Sequence, residues 1–160
     1  MNTTMQAPEI YIDTSVIGGY FDDEFKTETR RLWSLRKKSL YRFKTSIITL
    51  EEISKAPARV QELFAKTFDE ESILTSSPEA EELARAYMER GVVPAKYFDD
   101  AQHVAICTLA RINCLASWNF KHLANLQREN AFNGVNLLHG YAQVRILSPT
   151  SLNYGHEKEV

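Results

Sequence analysis

Two hydrophobic periods alternate along this chain, and that alternation constrains its fold more than any other feature. Short apolar runs read as strands: Glu9-Ile10-Tyr11-Ile12-Asp13, Arg42-Phe43-Lys44-Thr45-Ser46, Ser72-Ile73-Leu74-Thr75, Cys114-Leu115-Ala116-Ser117 and Val144-Arg145-Ile146-Leu147. Between them lie stretches with apolar residues three and four apart, the spacing of one helix face. Helices are predicted over about residues 26–38, with Leu32, Trp33 and Leu35 inward, and from Thr49 as N-cap through Ile53. Another follows Pro57, carrying Val60, Leu63, Phe64 and Phe68, and one starts at Pro78 behind Ser77 and stops at Gly91. Residues 97–111 give the most apolar helix, and a further one is expected over about 120–131. Strands separated by helices of this length imply right-handed βαβ crossovers. The predicted class is α/β, a mostly parallel five-stranded sheet with helices on both faces. One domain is expected over residues 1–150, followed by a mobile tail at 151–160.

Composition narrows the setting. With 160 residues, 44% hydrophobic and 25% charged, the chain can bury one sizeable core. No apolar run is long enough to span a bilayer, and Met1 to Gln6 has neither a basic nor an apolar leader region. Cys107 and Cys114 make no metal or disulfide framework, so a reducing, cytoplasmic setting is expected. A net charge of −2 predicts no strong global attraction to nucleic acid. The basic run Arg30, Arg31, Arg36, Lys37, Lys38, Arg42 and Lys44 reads equally as a local basic face beside an acidic site or as a solvated helix face and turn.

Ligand sites of parallel sheets lie beyond the carboxyl ends of the strands, where strand order reverses. Asp13 closes the first strand there, and Asn119 lies just past the fourth. Asp13 reads equally as the N-cap of a strand-to-helix turn; Thr14 and Ser15 after it offer hydroxyls to the carboxylate or to a ligand. Asp100 opens the most apolar helix on its core side, and Asp99 is its solvated neighbour. Of the two acids in the helix after the second strand, Glu52 is preferred to Glu51 because it precedes Ile53. Ser117, Lys121 and His122 are candidate contacts to a phosphate, each weighed against an ordinary turn or surface role. His103, three residues after Asp100, reads as a helix-surface histidine ahead of a place on the site rim, and Tyr20, Phe21 and Phe25 as core packing, a base-stacking cluster or a partner contact. Carboxylates that converge in one crevice repel one another unless a cation neutralises them. Their physical use is to hold Mg²⁺ or Mn²⁺, which activates water for attack at phosphorus.

The segments Ile10-Tyr11-Ile12-Asp13-Thr14-Ser15-Val16-Ile17, the helix start at Glu52, Asp100-Ala101-Gln102-His103-Val104-Ala105 and Ser117-Trp118-Asn119-Phe120-Lys121-His122-Leu123 resemble the PIN-domain family in order and spacing. The resemblance runs from about residue 9 to 149. It implies a three-layer α/β/α fold and a metal-dependent ribonuclease, often the toxin of a VapC-type toxin–antitoxin pair. By the same resemblance Asp13, Glu52 and Asp100 match the three core acids that hold the metal, and Asn119 matches a fourth catalytic position where Asp is common. RNA as substrate, a small antitoxin partner and a homodimer are implied with it. A rival reading is a binding or regulatory module on the same fold with weak or lost turnover. A receiver-like domain is disfavoured, since the last strand ends Ile146-Leu147-Ser148-Pro149 without the lysine such a site needs.

Overall fold

The computed structural model describes residues 6–156. Its five strands are all parallel: β1 (Glu9–Ile12), β2 (Arg42–Ser46), β3 (Ile73–Leu74), β4 (Cys114–Ala116) and β5 (Arg145–Leu147). They lie in the order β3-β2-β1-β4-β5, which makes β1 the central strand. The expected α/β sheet with helices on both faces is therefore the observed one. β1 pairs Ile10 with Phe43 on one side and Tyr11 with Leu115 on the other.

Because side chains alternate along a strand, β1 feeds both layers. Ile10 and Ile12 face a layer made by α1 (Thr14–Gly19), α2 (Lys26–Lys37) and α4 (Ala58–Thr67), where they meet Val16, Leu32, Trp33 and Phe64. Tyr11 faces the opposite layer of α5 (Pro78–Glu89), α6 (Phe98–Leu109) and α7 (Leu126–Leu138), among Leu83, Tyr87, Val104 and Phe132. A strand covered on both faces needs an apolar residue at nearly every position, which is why the first run lacks polar alternation. A third helix, α3 (Ile47–Ile53), bridges the layers, sending Ile48 to one core and Ile53 to the other.

The chain steps outward from β1 to β2 and β3, then crosses back to β4 and β5 on the far side. Strand order thus reverses between β1 and β4, and beyond their carboxyl ends lies the crevice in which parallel sheets of this kind hold ligands.

Several boundaries differ from expectation. The N-cap of α3 is Ser46, whose hydroxyl accepts from the Ile48 amide at 3.2 Å, while Thr49 is buried inside the helix. The helix expected near residue 120 begins at Leu126, because Asn125 caps it and also ties down the Phe120 and Lys121 carbonyls. A last helix, α8 (Pro149–Asn153), occupies the start of the stretch expected to be a mobile tail. There Leu152 is buried, and the Asn153 amide donates to the Glu28 carbonyl at 2.8 Å, docking α8 on α2. The leader-region reading of residues 1–5 and the final tail residues 157–160 lie outside the described residues.

Gly19 shows how tightly α1 is fitted beneath the crevice. A Cβ there would stand 2.7 Å from Trp118 Cδ1 and Nε1 and 3.0 Å from Thr29 Oγ1, whereas one at Gly18 meets nothing within 4 Å. Gly19→Ala is therefore expected to destabilise the fold by about 1–3 kcal/mol through overpacking. Gly18→Ala is expected to be neutral or stabilising by up to about 1 kcal/mol. Urea denaturation of the two variants checks this; equal midpoints would contradict it.

Candidate functional site

Asp13 directly follows the last residue of β1 and keeps the strand's alternation, so it points with Tyr11 toward α6. Its backbone still donates to the Ala116 carbonyl on β4 at 3.3 Å. Its carboxylate Oδ1 accepts from the Val16 amide at 3.1 Å and from the Ser15 hydroxyl at 2.7 Å. The two readings of Asp13 turn out to be compatible: it caps α1 and faces the crevice at once.

From the end of β4 the chain runs back over the same crevice. The Trp118 amide donates to Ser15 Oγ at 2.9 Å, and Ser117 Oγ lies 3.4 Å from that hydroxyl. Trp118 anchors this loop by burying its indole, donating to Thr29 Oγ1 at 2.9 Å and stacking on Phe25 at 4.3 Å. Asn119 then meets α6, its Nδ2 donating to Asp100 Oδ2 at 3.3 Å. Its own Oδ1 accepts from the His122 amide at 3.0 Å.

Glu52 enters from α3. Its Oε1 accepts from Thr14 Oγ1 at 2.8 Å and faces His103 Nε2 at 2.8 Å. The structure therefore brings together Asp13, Thr14, Ser15, Glu52, Asp100, Ser117 and Asn119 from four separate segments. Glu51 and Asp99 are exposed. His122 is buried, with Nδ1 3.8 Å from Asp100 Oδ2 and its ring 3.9 Å from that of Tyr97. Lys121 is exposed at the edge.

Several residues fall differently from the sequence reading. His103 is not on the surface; it is 2% exposed and held between Tyr11 and Glu52. Its signal was its place one turn after Asp100, on the helix face that meets β1. The basic run does not border the crevice as a unit. Arg42 opens β2 at the opposite end of the sheet, where it donates to the Ala7 carbonyl at 2.9 Å, and Arg36 donates to the Thr67 carbonyl at 2.8 Å. Tyr20, Phe21 and Phe25 pack among Trp33, Trp118 and one another.

The crevice is electrostatically uneven. Burial pushes the Asp13 carboxyl above its ordinary value, against the opposing pull of His103, Ser117, Ser15 and the Val16 amide. Asp100 is pushed up to about 6, by burial first and then by the negative charges of Asp13, Glu52 and Asp99, with His103 opposing. For Glu52 burial raises the value, but the hydrogen bond and charge of His103, with Thr14, together hold it below the ordinary carboxylate range. Burial, and then Arg128, Lys121 and Lys96, hold the His122 imidazole below its ordinary value.

Among the described residues, no three His, Cys, Asp or Glu side chains form a ready-made metal cage. The hydrogen bonds above engage one oxygen of each acid, namely Asp13 Oδ1, Glu52 Oε1 and Asp100 Oδ2. The second oxygen of each takes no part in them.

No protein-family model matches the chain, and no curated protein matches it in sequence. Solved structures do resemble it. FitAcB from Neisseria gonorrhoeae superposes with a TM-score of 0.55 at 13% identity, over 88% of this chain and 98% of that one. VapBC2 from Rickettsia felis, bound to a DNA fragment from its promoter, gives 0.52 at 13% identity over 88% and 98%. FitAB bound to an IR36 DNA fragment gives 0.53 at 14% identity over 88% and 94%. The likeness is one of fold.

The raised Asp100 carboxyl has a consequence for stability. A folded-state value near 6 lies above the ordinary 3.8, so the stabilising neutral form is complete below about pH 4 and is lost as pH rises through about 6. Asp100→Asn cannot ionise and keeps an amide beside Asn119. Its stability relative to wild type is expected to rise by about 1–3 kcal/mol between pH 4 and pH 7.5 in chelator. Urea denaturation across that range measures it, and parallel pH profiles would contradict it.

Proposed function

We propose that this protein is a metal-dependent endoribonuclease that hydrolyses RNA phosphodiesters by attack of water. One observation carries the reading: three carboxylates from distant segments, Asp13, Glu52 and Asp100, gather with Asn119 where strand order reverses, and the first two raise the third. Keeping like charges together in a half-buried crevice is costly without a counter-ion.

The donor set suits Mg²⁺ or Mn²⁺, since it consists of hard oxygens on a rigid strand end and two helices. Mg²⁺ retains several waters and binds through one or two carboxylates, so an open arrangement without a closed cage is compatible with it. Asp13 and Asp100 would hold the ion, with Glu52 as the third acid. When bound, such an ion supplies a nucleophilic water at neutral pH and stabilises charge at phosphorus.

The chain's own residues have distinct parts in this reading. Ser15 and the Val16 amide fix the Asp13 carboxylate, and Thr14 fixes Glu52. Asn119 orients Asp100 and adds no charge. Lys121, with Lys96 and Arg128 near His122, gives the scissile strand a cationic edge, and Phe120, 50% exposed beside Asn119, offers a face for a base. Ser117 contributes its hydroxyl at the crevice floor.

The same proposal gives the protein a toxin-like role with a small antitoxin. Its support is the shared fold with the FitAB and VapBC2 complexes and the family resemblance of the four motifs. Leu126, Leu137 and Leu138 on α7, at 73%, 77% and 65% exposure, offer apolar surface for that partner or for a homodimer.

One observation favours the rival reading of an RNA-binding module without turnover. Both polar atoms of the Asn119 amide are already engaged, Nδ2 on Asp100 and Oδ1 on the His122 amide, and the residue brings no charge, so the fourth position is a poorer cation ligand than a carboxylate. A single experiment separates the two. Wild-type protein with Mn²⁺ and a labelled single-stranded RNA is expected to cleave it, and Asp13→Asn to lower the rate by about 10²–10³-fold or more with the fold retained. RNA retained uncleaved by wild-type protein across a Mn²⁺ titration would select the binding module. Cleavage undiminished in Asp13→Asn would overturn the site.

A further inference from the structure

A continuous hydrogen-bonded chain of side chains leads out of the core and ends at Glu52. It starts at Ser46 Oγ, which stands 2.6 Å from the Tyr11 hydroxyl. That hydroxyl is 2.7 Å from His103 Nδ1, and the other ring nitrogen, Nε2, is 2.8 Å from Glu52 Oε1. Thr14 Oγ1 donates to the same oxygen at 2.8 Å. Ser46, Tyr11 and His103 are all at most 2% exposed, and the only member open to the crevice side is the Glu52–Thr14 end.

The direction of the bonds follows from donor chemistry alone. A carboxylate only accepts, so Nε2 carries the hydrogen toward Glu52 whether the ring is neutral or charged. In the neutral ring Nδ1 then accepts from the Tyr11 hydroxyl, and Ser46 donates to the Tyr11 oxygen. In that form every hydrogen in the chain points outward; in the charged ring Nδ1 donates to the Tyr11 oxygen and the Nε2 bond to Glu52 keeps its direction. Burial pushes the Tyr11 phenol far up, which keeps it a neutral donor.

Such a chain is an expensive way to fill a core. Tyr11 sits in the middle of the central strand, between Val104 and Leu115, where a phenylalanine would fill the same volume without a polar atom to satisfy. A leucine at position 103 would likewise suit the α6 face that carries Val104 and Cys107. What the polar pair provides is a fixed orientation at its far end. With Oε1 held by two donors, the Glu52 carboxylate cannot turn.

We infer that His103, backed by Tyr11, is a positioning residue that fixes Glu52 and so sets the site's affinity for a divalent cation, an inference that rests on the metal-site reading above. The arrangement has the logic of an outer shell, where partners of metal-binding side chains are worth about 10–100-fold in affinity. His103→Leu keeps the bulk and loses the donor. His103→Gln keeps an N–H donor, and Tyr11→Phe removes only the support behind the ring.

The test is direct Mn²⁺ binding, read by electron paramagnetic resonance of the free ion, on wild type and these three variants at pH 7.5. Urea denaturation runs alongside to establish that each variant folds. His103→Leu is expected to weaken Mn²⁺ binding by about 10–100-fold, His103→Gln to recover most of it, and Tyr11→Phe to lose less than His103→Leu. Folded His103→Leu or Tyr11→Phe that binds Mn²⁺ as wild type does, or a glutamine no better than leucine, would overturn the positioning role and leave the proposed function standing. Wild-type protein that binds no Mn²⁺ would overturn the proposed function, and the role of His103 toward a cation with it.

Discussion

The buried carboxylate at the end of the central strand is the constraint on which the rest of this structure depends. Asp13 is 3% exposed, and a carboxylate that deep is costly unless its oxygens are bonded and its charge is answered. The fold answers it locally, with the Ser15 hydroxyl and the Val16 amide in the first turn of α1, and at a distance, through the charge of His103 on α6. These compensations tie α1, α6 and the loop after β4 to one point. Weakening any of them leaves a charge in the core rim with fewer partners.

Around that point, rigidity comes from aromatic side chains with polar tips. Trp118 packs its indole on Phe25 and bonds Thr29, which fixes the loop that carries Ser117 and Asn119. Tyr11 does the same in the opposite layer, reaching from β1 to His103. Each has an apolar body for the core and one donor or acceptor for the site. The acids are thus set on a strand end, two helix faces and an anchored loop, a scaffold more precise than free loops would supply. Their carboxyl values are uneven: burial and the charges of Asp13, Glu52 and Asp99 raise Asp100, whereas at Glu52 the hydrogen bond and charge of His103, with Thr14, outweigh burial.

Much of this was legible beforehand. Strand positions, the parallel sheet, the inward face of α2 and the start of α5 at Pro78 behind Ser77 all came from periodicity and end signals. The misreadings share a cause. Thr49 reads as a cap because a hydroxyl soon after a strand is a common helix start, yet the helix already begins three residues earlier, where the Ser46 hydroxyl accepts from the Ile48 amide. The helix at residue 120 was started too soon because the turn from Asn119 to Asn125 is held by side-chain amides, which leave no periodic trace. His103 looked like a surface residue because its partners, Tyr11 and Glu52, are 92 and 51 positions away.

By itself, then, the sequence determined the class of fold and the end of the sheet where chemistry would gather. Both depend on local rules: the period of apolar residues, and the right-handed crossover that returns each strand parallel to the last. Which side chains share that crevice was decided only by the tertiary structure. So was the division of labour among them, with Asn119 spent on orienting Asp100 and His103 spent on Glu52. Hydrogen bonds between distant segments are set by the packing of α3 and α6 against β1, which joins residues 51 and 92 positions apart.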